Sequence, residues 1–410
     1  VKPKAVLAFC REKGIKAFDL RFVDIHGGWR HITYPISSLN EASFEEGFGH
    51  QVLLNPSETG ISSHAILIPQ GDASYLDPFT KQPTLVILAS VQDAIMREES
   101  PIHARHVAIQ ATRYLQSTGI GDSLAILTGC EFRTYPNQAQ PAEHLDKNSF
   151  LACGPMDRDF NFRCESTDCA AEAGVHIDRH FSNSGFSSSL VLKPSHLTKC
   201  CDDVLMLRYL IDQHAQRQGI QISQNDLWLP SQWTLERDGE SIFVGNAYRG
   251  LSNAGLYAMG GILNHADTIA AVALANRTRD LAYSPLRLCA SQHPLSICCV
   301  RVGSNNPSDR TIEFRGALAD CNPYLVFSAV LMAMIDGIQN KMLPGPALEV
   351  PKEGLISSDA FSIGSENGRP TSRPFLMSKL MSDCDFLSRG EVFSDALIEL
   401  LCQQLGNSTE

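Results

Sequence analysis

Apolar and polar residues alternate from Lys16 through Phe18, Leu20 and Phe22 to Asp24, the two-residue period of a half-buried strand. His26-Gly27-Gly28 supplies turn chemistry, and Trp29–Pro35 reads as the return strand of a hairpin. Ala65-Ile66-Leu67-Ile68-Pro69 and Thr84-Leu85-Val86-Ile87-Leu88 predict two further apolar strands, with a long Gly-, Ser- and Asn-rich loop over 44–63 before them. Past residue 94 the period changes. Helical spacing covers 102–118, closed by Gly119; 204–218, closed by Gly219; 253–275; and Pro323–Gln339. Strand-like runs occupy 124–135, 174–181, 298–302 and 311–315, whereas 146–173, with scattered Gly, Pro, Asp and Cys, predicts an insertion or flap. After Pro344 a loop and two short helices are expected. The pattern divides the chain into a strand-rich unit over 1–93 and a larger mixed unit over 94–410.

Composition narrows the class. With 410 residues, 43% hydrophobic and 19% charged, the chain can bury a large core, which excludes general disorder and a membrane-spanning bundle. Net charge is -11 and no basic block occurs, so neither nucleic acid nor an anionic membrane is an expected partner; small molecules or proteins are. The thirteen cysteines include the adjacent pairs Cys200-Cys201 and Cys298-Cys299 and form no CxxC…CxxC pattern, which points to reduced thiols in the cytoplasm. Neither a signal peptide nor a transmembrane helix is expected.

A series of segments in fixed order carries a specific likeness: Phe18-Asp19-Leu20-Arg21-Phe22-Val23-Asp24-Ile25-His26-Gly27, Leu76-Asp77-Pro78-Phe79, Gly174-Val175-His176-Ile177-Asp178-Arg179-His180, Tyr248-Arg249-Gly250-Leu251-Ser252, Gly260-Gly261-Ile262-Leu263-Asn264-His265-Ala266, Arg310-Thr311-Ile312-Glu313-Phe314-Arg315 and Asn322-Pro323-Tyr324-Leu325. Over nearly its full length the chain resembles the bacterial type I glutamine synthetase family. The resemblance implies an α+β fold: a β-grasp domain over 1–93 and a catalytic-type α/β domain with a curved antiparallel sheet over 94–410. It also implies ATP-dependent phosphorylation of a carboxylate, displacement by ammonia, and Mg²⁺ or Mn²⁺ held in a cage of mostly glutamates.

Set against that family pattern, the cage is largely missing. Glu-x-Glu becomes Gly129-Cys130-Glu131, and His-Glu becomes His180-Phe181. Gly-Gln-x-Glu becomes Gly185-Phe186-Ser187-Ser188, and the histidine loop becomes Asn225-Asp226-Leu227-Trp228-Leu229-Pro230-Ser231-Gln232. Gly129, Phe181, Ser188 and Pro230 thus stand at replaced positions, while Glu131 and Glu313 remain. The loop resembling the family's Asp-Gly-Ser-Ser reads Gly49-His50-Gln51-Val52, which puts Gln51 among the replacements, and Asn-Arg-Ser becomes Pro294-Leu295-Ser296. Arg301, Arg310 and Arg315 are retained and suit a carboxylate or phosphate. No tyrosine stands between Leu348 and Ser362 where the family carries its modified one, and the terminal strap is missing, which weighs against a double-ring dodecamer.

Two roles remain open for Glu131 and Glu313: a proton-sharing acid/base pair, or structural ion pairs with Arg301, Arg310 or Arg315. His176, Asp178 and His180 have one-face spacing for a metal, with structural roles the simpler expectation. Cys153, Cys164 and Cys169 are expected as ordinary thiols, and Cys130 as a candidate cavity residue. Trp228 and Trp233 are expected to fill space left by metal and nucleotide. The expectation is therefore a cytoplasmic, glutamine-synthetase-like pseudoenzyme that cannot make glutamine. It binds a small carboxylate or amino-acid-like ligand, and no cofactor is predicted although ATP and Mg²⁺ or Mn²⁺ are implied by the family. It forms a homo-oligomer, a hexameric ring or smaller, or co-assembles with an active paralogue. The alternatives are a metal-independent enzyme using Glu131 and Glu313, and an ATP-dependent carboxylate-amine ligase with an unusual substrate.

Overall fold

Asp24 organises the first turn: its Oδ1 accepts from the backbone N–H of His26 and of Gly28, and Gly27 takes the left-handed conformation at φ 85°. The computed structural model describes residues 2–55, 63–136, 150–183, 187–224, 227, 229–275, 309–346 and 372–407; at 63, 136, 287–288, 299–303 and 407 it describes backbone only. The strand-rich unit runs α1 (Pro3–Glu12), β1 (Ala17–Val23), β2 (Trp29–Pro35), α2 (Ser43–Glu46), β3 (Phe48–Val52), β4 (Ser63–Leu76) and β5 (Thr84–Asp93). Its sheet has the order β2-β1-β5-β4-β3, with β1 and β5 parallel and the other pairs antiparallel.

The hairpin forms as the alternation predicts, but β1 is buried on both faces. One face, with Phe18, Leu20 and Phe22, packs with Val6 and Cys10 of α1, a helix that the strand-rich reading passed over. On the other face Val23 joins the core of the larger unit, and Arg21 pairs with Asp19 at 2.7 Å and Asp77 at 3.0 Å beneath the Tyr209 ring. The loop expected over 44–63 contains α2 and β3 in its described part.

The larger unit continues with α3 (Ala104–Thr118), β6 (Ser123–Leu127), β7 (Gly129–Pro136), α4 (Phe160–Ala173), β8 (Ile177–Ser182), β9 (Ser187–Leu192), α5 (Leu197–Gln218) and β10 (Ile220–Ser223). It goes on through β11 (Ser231–Arg237), β12 (Glu240–Ser241), α6 (Asn253–Asn264), α7 (Ala266–Leu274), β13 (Arg287–Leu288), β14 (Cys299–Gly303) and β15 (Thr311–Phe314). The last helices are α8 (Pro323–Gln339), α9 (Arg373–Ser382), α10 (Asp385–Ser388) and α11 (Asp395–Asn407). One antiparallel sheet has the order β10-β7-β9-β8; a second runs β12-β11-β15-β14-β13, with β6 also on β11 and a parallel β13–β14 pair. Helices α3, α5, α6 and α8 pack together in a core centred on the fully buried residues of α8.

Three expectations change. The single strand over 124–135 is two, because the chain crosses between sheets at Thr128, whose hydroxyl donates to the Pro230 carbonyl at 2.8 Å. The long helix over 253–275 breaks at His265, which is tied to Asp336 and Asp383. The described part of the expected flap is mainly α4, a core helix whose buried face includes Phe162, Arg163, Ser166, Ala170 and Ala173.

Candidate functional site

The two sheets meet at a cavity of about 230 Å³. On one side Glu131 of β7 lies opposite Ser189 of β9, which lies opposite Phe181 of β8, so the three side chains share a face. The other sheet contributes Gln232 of β11 and, directly opposite it, Glu313 at β15. Arg315 follows two residues after Glu313 and also lines the cavity. Glu131, Glu313 and Arg315 are therefore brought together.

Each carboxylate is already engaged. Glu131 Oε1 accepts from Asn183 Nδ2 at 2.8 Å and Ser187 Oγ at 2.7 Å. Burial pushes its carboxyl above the usual range, against the opposing pull of those hydrogen bonds and of the Arg315 and Arg133 charges. Glu313 is 3% exposed, and its Oε1 accepts from Arg315 Nε at 2.5 Å. Arg179, paired with the neighbouring Asp178, is a second guanidinium on the wall. Gln232 adds an amide whose Oε1 is buried without a hydrogen-bond partner among the described residues.

The remaining expected residues separate. Arg310 lies elsewhere: its Nε donates to the Arg249 carbonyl at 3.0 Å, against Gly250. Arg301 occupies the backbone position opposite Glu313 on β14; its side chain is outside the described residues. Gln51 is exposed on β3, opposite His64. Ser188 faces away from the cavity, donating to Asp159 Oδ2 at 3.2 Å and accepting from Arg163 Nη1 at 3.1 Å. Pro230 and Phe181 line the cavity with carbon. At Gly129 an added Cβ would stand 2.0 Å from the Leu190 carbonyl oxygen and 2.7 Å from Val191 Cα, so β9 leaves no room for any side chain there.

Cys130 contributes to the wall, but its Sγ donates to the Val204 carbonyl at 3.6 Å, and burial pushes the thiol up to about 12. Trp233 is fully buried against Phe327 and is not among the residues lining the cavity. Trp228, Asn225, Asp226, Gly185 and Phe186, together with residues 294–296 and 348–362, lie outside the described residues. Asp178 pairs with Arg179, whereas His180 Nδ1 accepts from Arg163 Nε at 3.3 Å, so the alternating trio does not converge. Cys153 is exposed, and Cys164 Sγ lies 3.8 Å from His180 Nε2. Asn183, Ser187, Arg179 and Gln232 were not singled out from the sequence. The one usable signal was alternation along β8, which puts Arg179 and Phe181 on the face opposite His180.

A hard dication takes about six oxygen ligands. Here one carboxylate holds a guanidinium, the other already accepts two hydrogen bonds on one oxygen, and positions 129, 181 and 230 present carbon or no side chain at all. Among the described residues no three His, Cys, Asp or Glu side chains are placed to hold a metal. Among the described residues, this donor set does not fit a divalent cation. The volume is also small against the roughly 300–1,000 Å³ of drug-sized ligand sites, and suits a molecule of amino-acid size.

Residues 102–359 match the family model for the glutamine synthetase catalytic domain. Along the chain, glutamine synthetase of Aquifex aeolicus is 27% identical, covering 97% of this chain and 93% of that protein. Glutamine synthetase of Methylococcus capsulatus is 28% identical, covering 97% and 94%. Among solved structures, a GmaS/ADP complex superposes with a TM-score of 0.78 at 17% identity, over 97% of this chain and 94% of that one. Plasmodium falciparum glutamine synthetase gives a TM-score of 0.78 at 16% identity, over 99% and 95%. At those identities the structures speak to the fold, which is theirs. No described helix is long and apolar enough to cross a membrane.

Proposed function

The chain belongs to the glutamine synthetase family, and from that premise we propose that it binds a small carboxylate or amino-acid-like ligand in the cavity without divalent metal and does not make glutamine by the family's route. The observation that carries the reading is the Arg315–Glu313 pair inside the cavity: a guanidinium already sits against the buried carboxylate. Arg315 and Arg179 orient the ligand's carboxylate, and Glu131, held by Asn183 and Ser187, shapes the opposite wall.

A second reading has support in one observation. The raised pKa of Glu131 makes it a candidate proton donor in metal-independent chemistry, with Glu313, bonded to Arg315, as the other carboxylate. The free thiols among the described cysteines fit a reducing cytoplasm. Assembly as a homo-oligomer, a ring of six or smaller, or beside an active paralogue belongs to the same proposal.

Calorimetric titration of the pure protein with glutamate and with propionate, each in EDTA and in excess Mg²⁺, tests the reading. Saturable binding of at least one acid, equal in both buffers and weakened in Arg315→Lys, is expected. Binding that requires Mg²⁺, or no binding by either acid, overturns it.

A further inference from the structure

Leu151 is held in a backbone conformation that leucine disfavours. Its φ is 53°, in the left-handed region where a Cβ crowds the following carbonyl. The other non-glycine residues with positive φ among the described residues are Arg97, Asp238, Arg249, Lys341 and Glu391, all charged, so Leu151 is the apolar exception. Two hydrogen bonds fix it there. Its N–H donates to the Ser182 carbonyl at 2.9 Å, and Ser182 Oγ donates to the carbonyl of the next residue, Ala152, at 3.4 Å. Ser182 ends β8, between Phe181 and Asn183 of the cavity wall.

Core packing does not explain the strain, because Leu151 is 61% exposed. Turn geometry does not explain it either, since glycine or asparagine takes this conformation more readily. What the side chain does have is a place on the cavity wall, beside Phe150 and in the shell that holds Phe181, Arg179 and Arg315. Being both part of the wall and open to water, it stands at the mouth. Backbone strain held in place by its surroundings clusters at ligand sites.

We propose that Leu151 is a specificity residue of the cavity: with the carboxylate of a monocarboxylic acid toward Arg315 and Arg179, Leu151 covers the acid's apolar chain where that chain leaves the cavity. The assignment rests on the carboxylate reading given above, and no covalent step is involved. A methylene buried in full raises affinity roughly fourfold, and one covered on a single side by about half that factor.

Calorimetric titration of the intact protein in EDTA with propionate, hexanoate and L-glutamate tests it. Hexanoate carries three more methylenes than propionate and is expected to bind about tenfold tighter. In Leu151→Gly that ratio should fall to about threefold or less, with propionate affinity at the parental value. The urea midpoint should hold or rise, because glycine accepts the left-handed backbone. Leu151→Asn is the second variant, since asparagine tolerates the same φ, and should behave likewise. A parental hexanoate-to-propionate ratio in both variants, or equal affinities for the two acids in the parent, overturns the assignment. So does a lower urea midpoint in both variants, which would make Leu151 a residue of the fold. If glutamate alone binds, the assignment falls and the carboxylate reading stands. If none of the three acids binds, the carboxylate reading falls with it.

Discussion

Arg315 donates from Nε to Oε1 of Glu313 at 2.5 Å, two residues away along the same edge of the cavity. Arg315 directly follows β15 and stands two residues from Glu313, so the contact is made within one short stretch of chain. Side-chain exposures of 21% for Arg315 and 4% for Glu313 put the contact largely out of water. The consequence is chemical. Glu313 is paired with a guanidinium from its own stretch of chain, and the predictions below follow from that arrangement and from the packing that supports it.

Restoring the acidic residue at position 129 should not rebuild a metal site. The Leu190 carbonyl lies 2.0 Å from where a Cβ would sit, and it is backbone, which cannot swing aside as a side chain can. Gly129→Glu, and already Gly129→Ala, should lose about 1–3 kcal/mol or more in urea unfolding, with no Mn²⁺-dependent stabilisation. A Gly129→Glu protein as stable as the parent would show that β9 is free to move away.

Arg163 anchors α4 behind the cavity. Its side chain is 1% exposed and bonds Asp157 at 2.5 Å as well as Ser188 and His180. Arg163→Met leaves the Asp157 carboxylate buried without its cation, and a loss of about 3–5 kcal/mol is expected, partly recovered by adding Asp157→Leu. If the single variant unfolds at the parent's denaturant concentration, the contact contributes nothing.

Much of this organisation was legible from residue pattern, and the exceptions share a cause. The β1–β2 hairpin and α8 announce themselves because period and turn chemistry agree over their whole length. Thr128 and His265 interrupt elements without interrupting the apolar pattern, since each break is made by a tertiary hydrogen bond to a remote partner, Pro230 for one and Asp336 and Asp383 for the other. Helix α4 hides because its buried face carries Arg163 and Ser166, which read as surface residues. At the site, Glu131, Glu313 and Arg315 were legible as residue types. Alternation along β8 could have found Arg179, whereas Gln232 and the outward turn of Ser188 depend on cross-strand register, which local sequence does not encode.

His265 should make stability fall as pH rises above neutrality. Burial pulls its pKa down, but the hydrogen bonds to Asp383 and Asp336 and the charges of those carboxylates more than offset that and hold it above the ordinary histidine value. A raised folded-state pKa contributes stability that is complete below about pH 6.5 and is lost as pH climbs through the folded value. Arg389 on Asp336 and Thr268 on Asp383 keep the carboxylates in place. Urea midpoints taken from pH 6 to 9 should decline for the parent and flatten for His265→Asn; parallel curves would contradict the assignment.

Thiol reactivity should divide by burial. Cys130, raised to about 12 and bonded to the Val204 carbonyl, should resist iodoacetamide in the native state, whereas the exposed Cys153 should be alkylated first. Peptide mapping by mass spectrometry after timed labelling reads both. Early modification at Cys130 would mean that the cavity wall opens.

The central claim is that this member of the family has given up metal-assisted glutamine formation. The direct measurement is chromatographic detection of glutamine from glutamate and ammonia by pure protein, with ATP and either Mg²⁺ or Mn²⁺. The account predicts no glutamine above the protein-free control at any metal concentration. Metal-dependent glutamine that disappears in Glu131→Gln would contradict it.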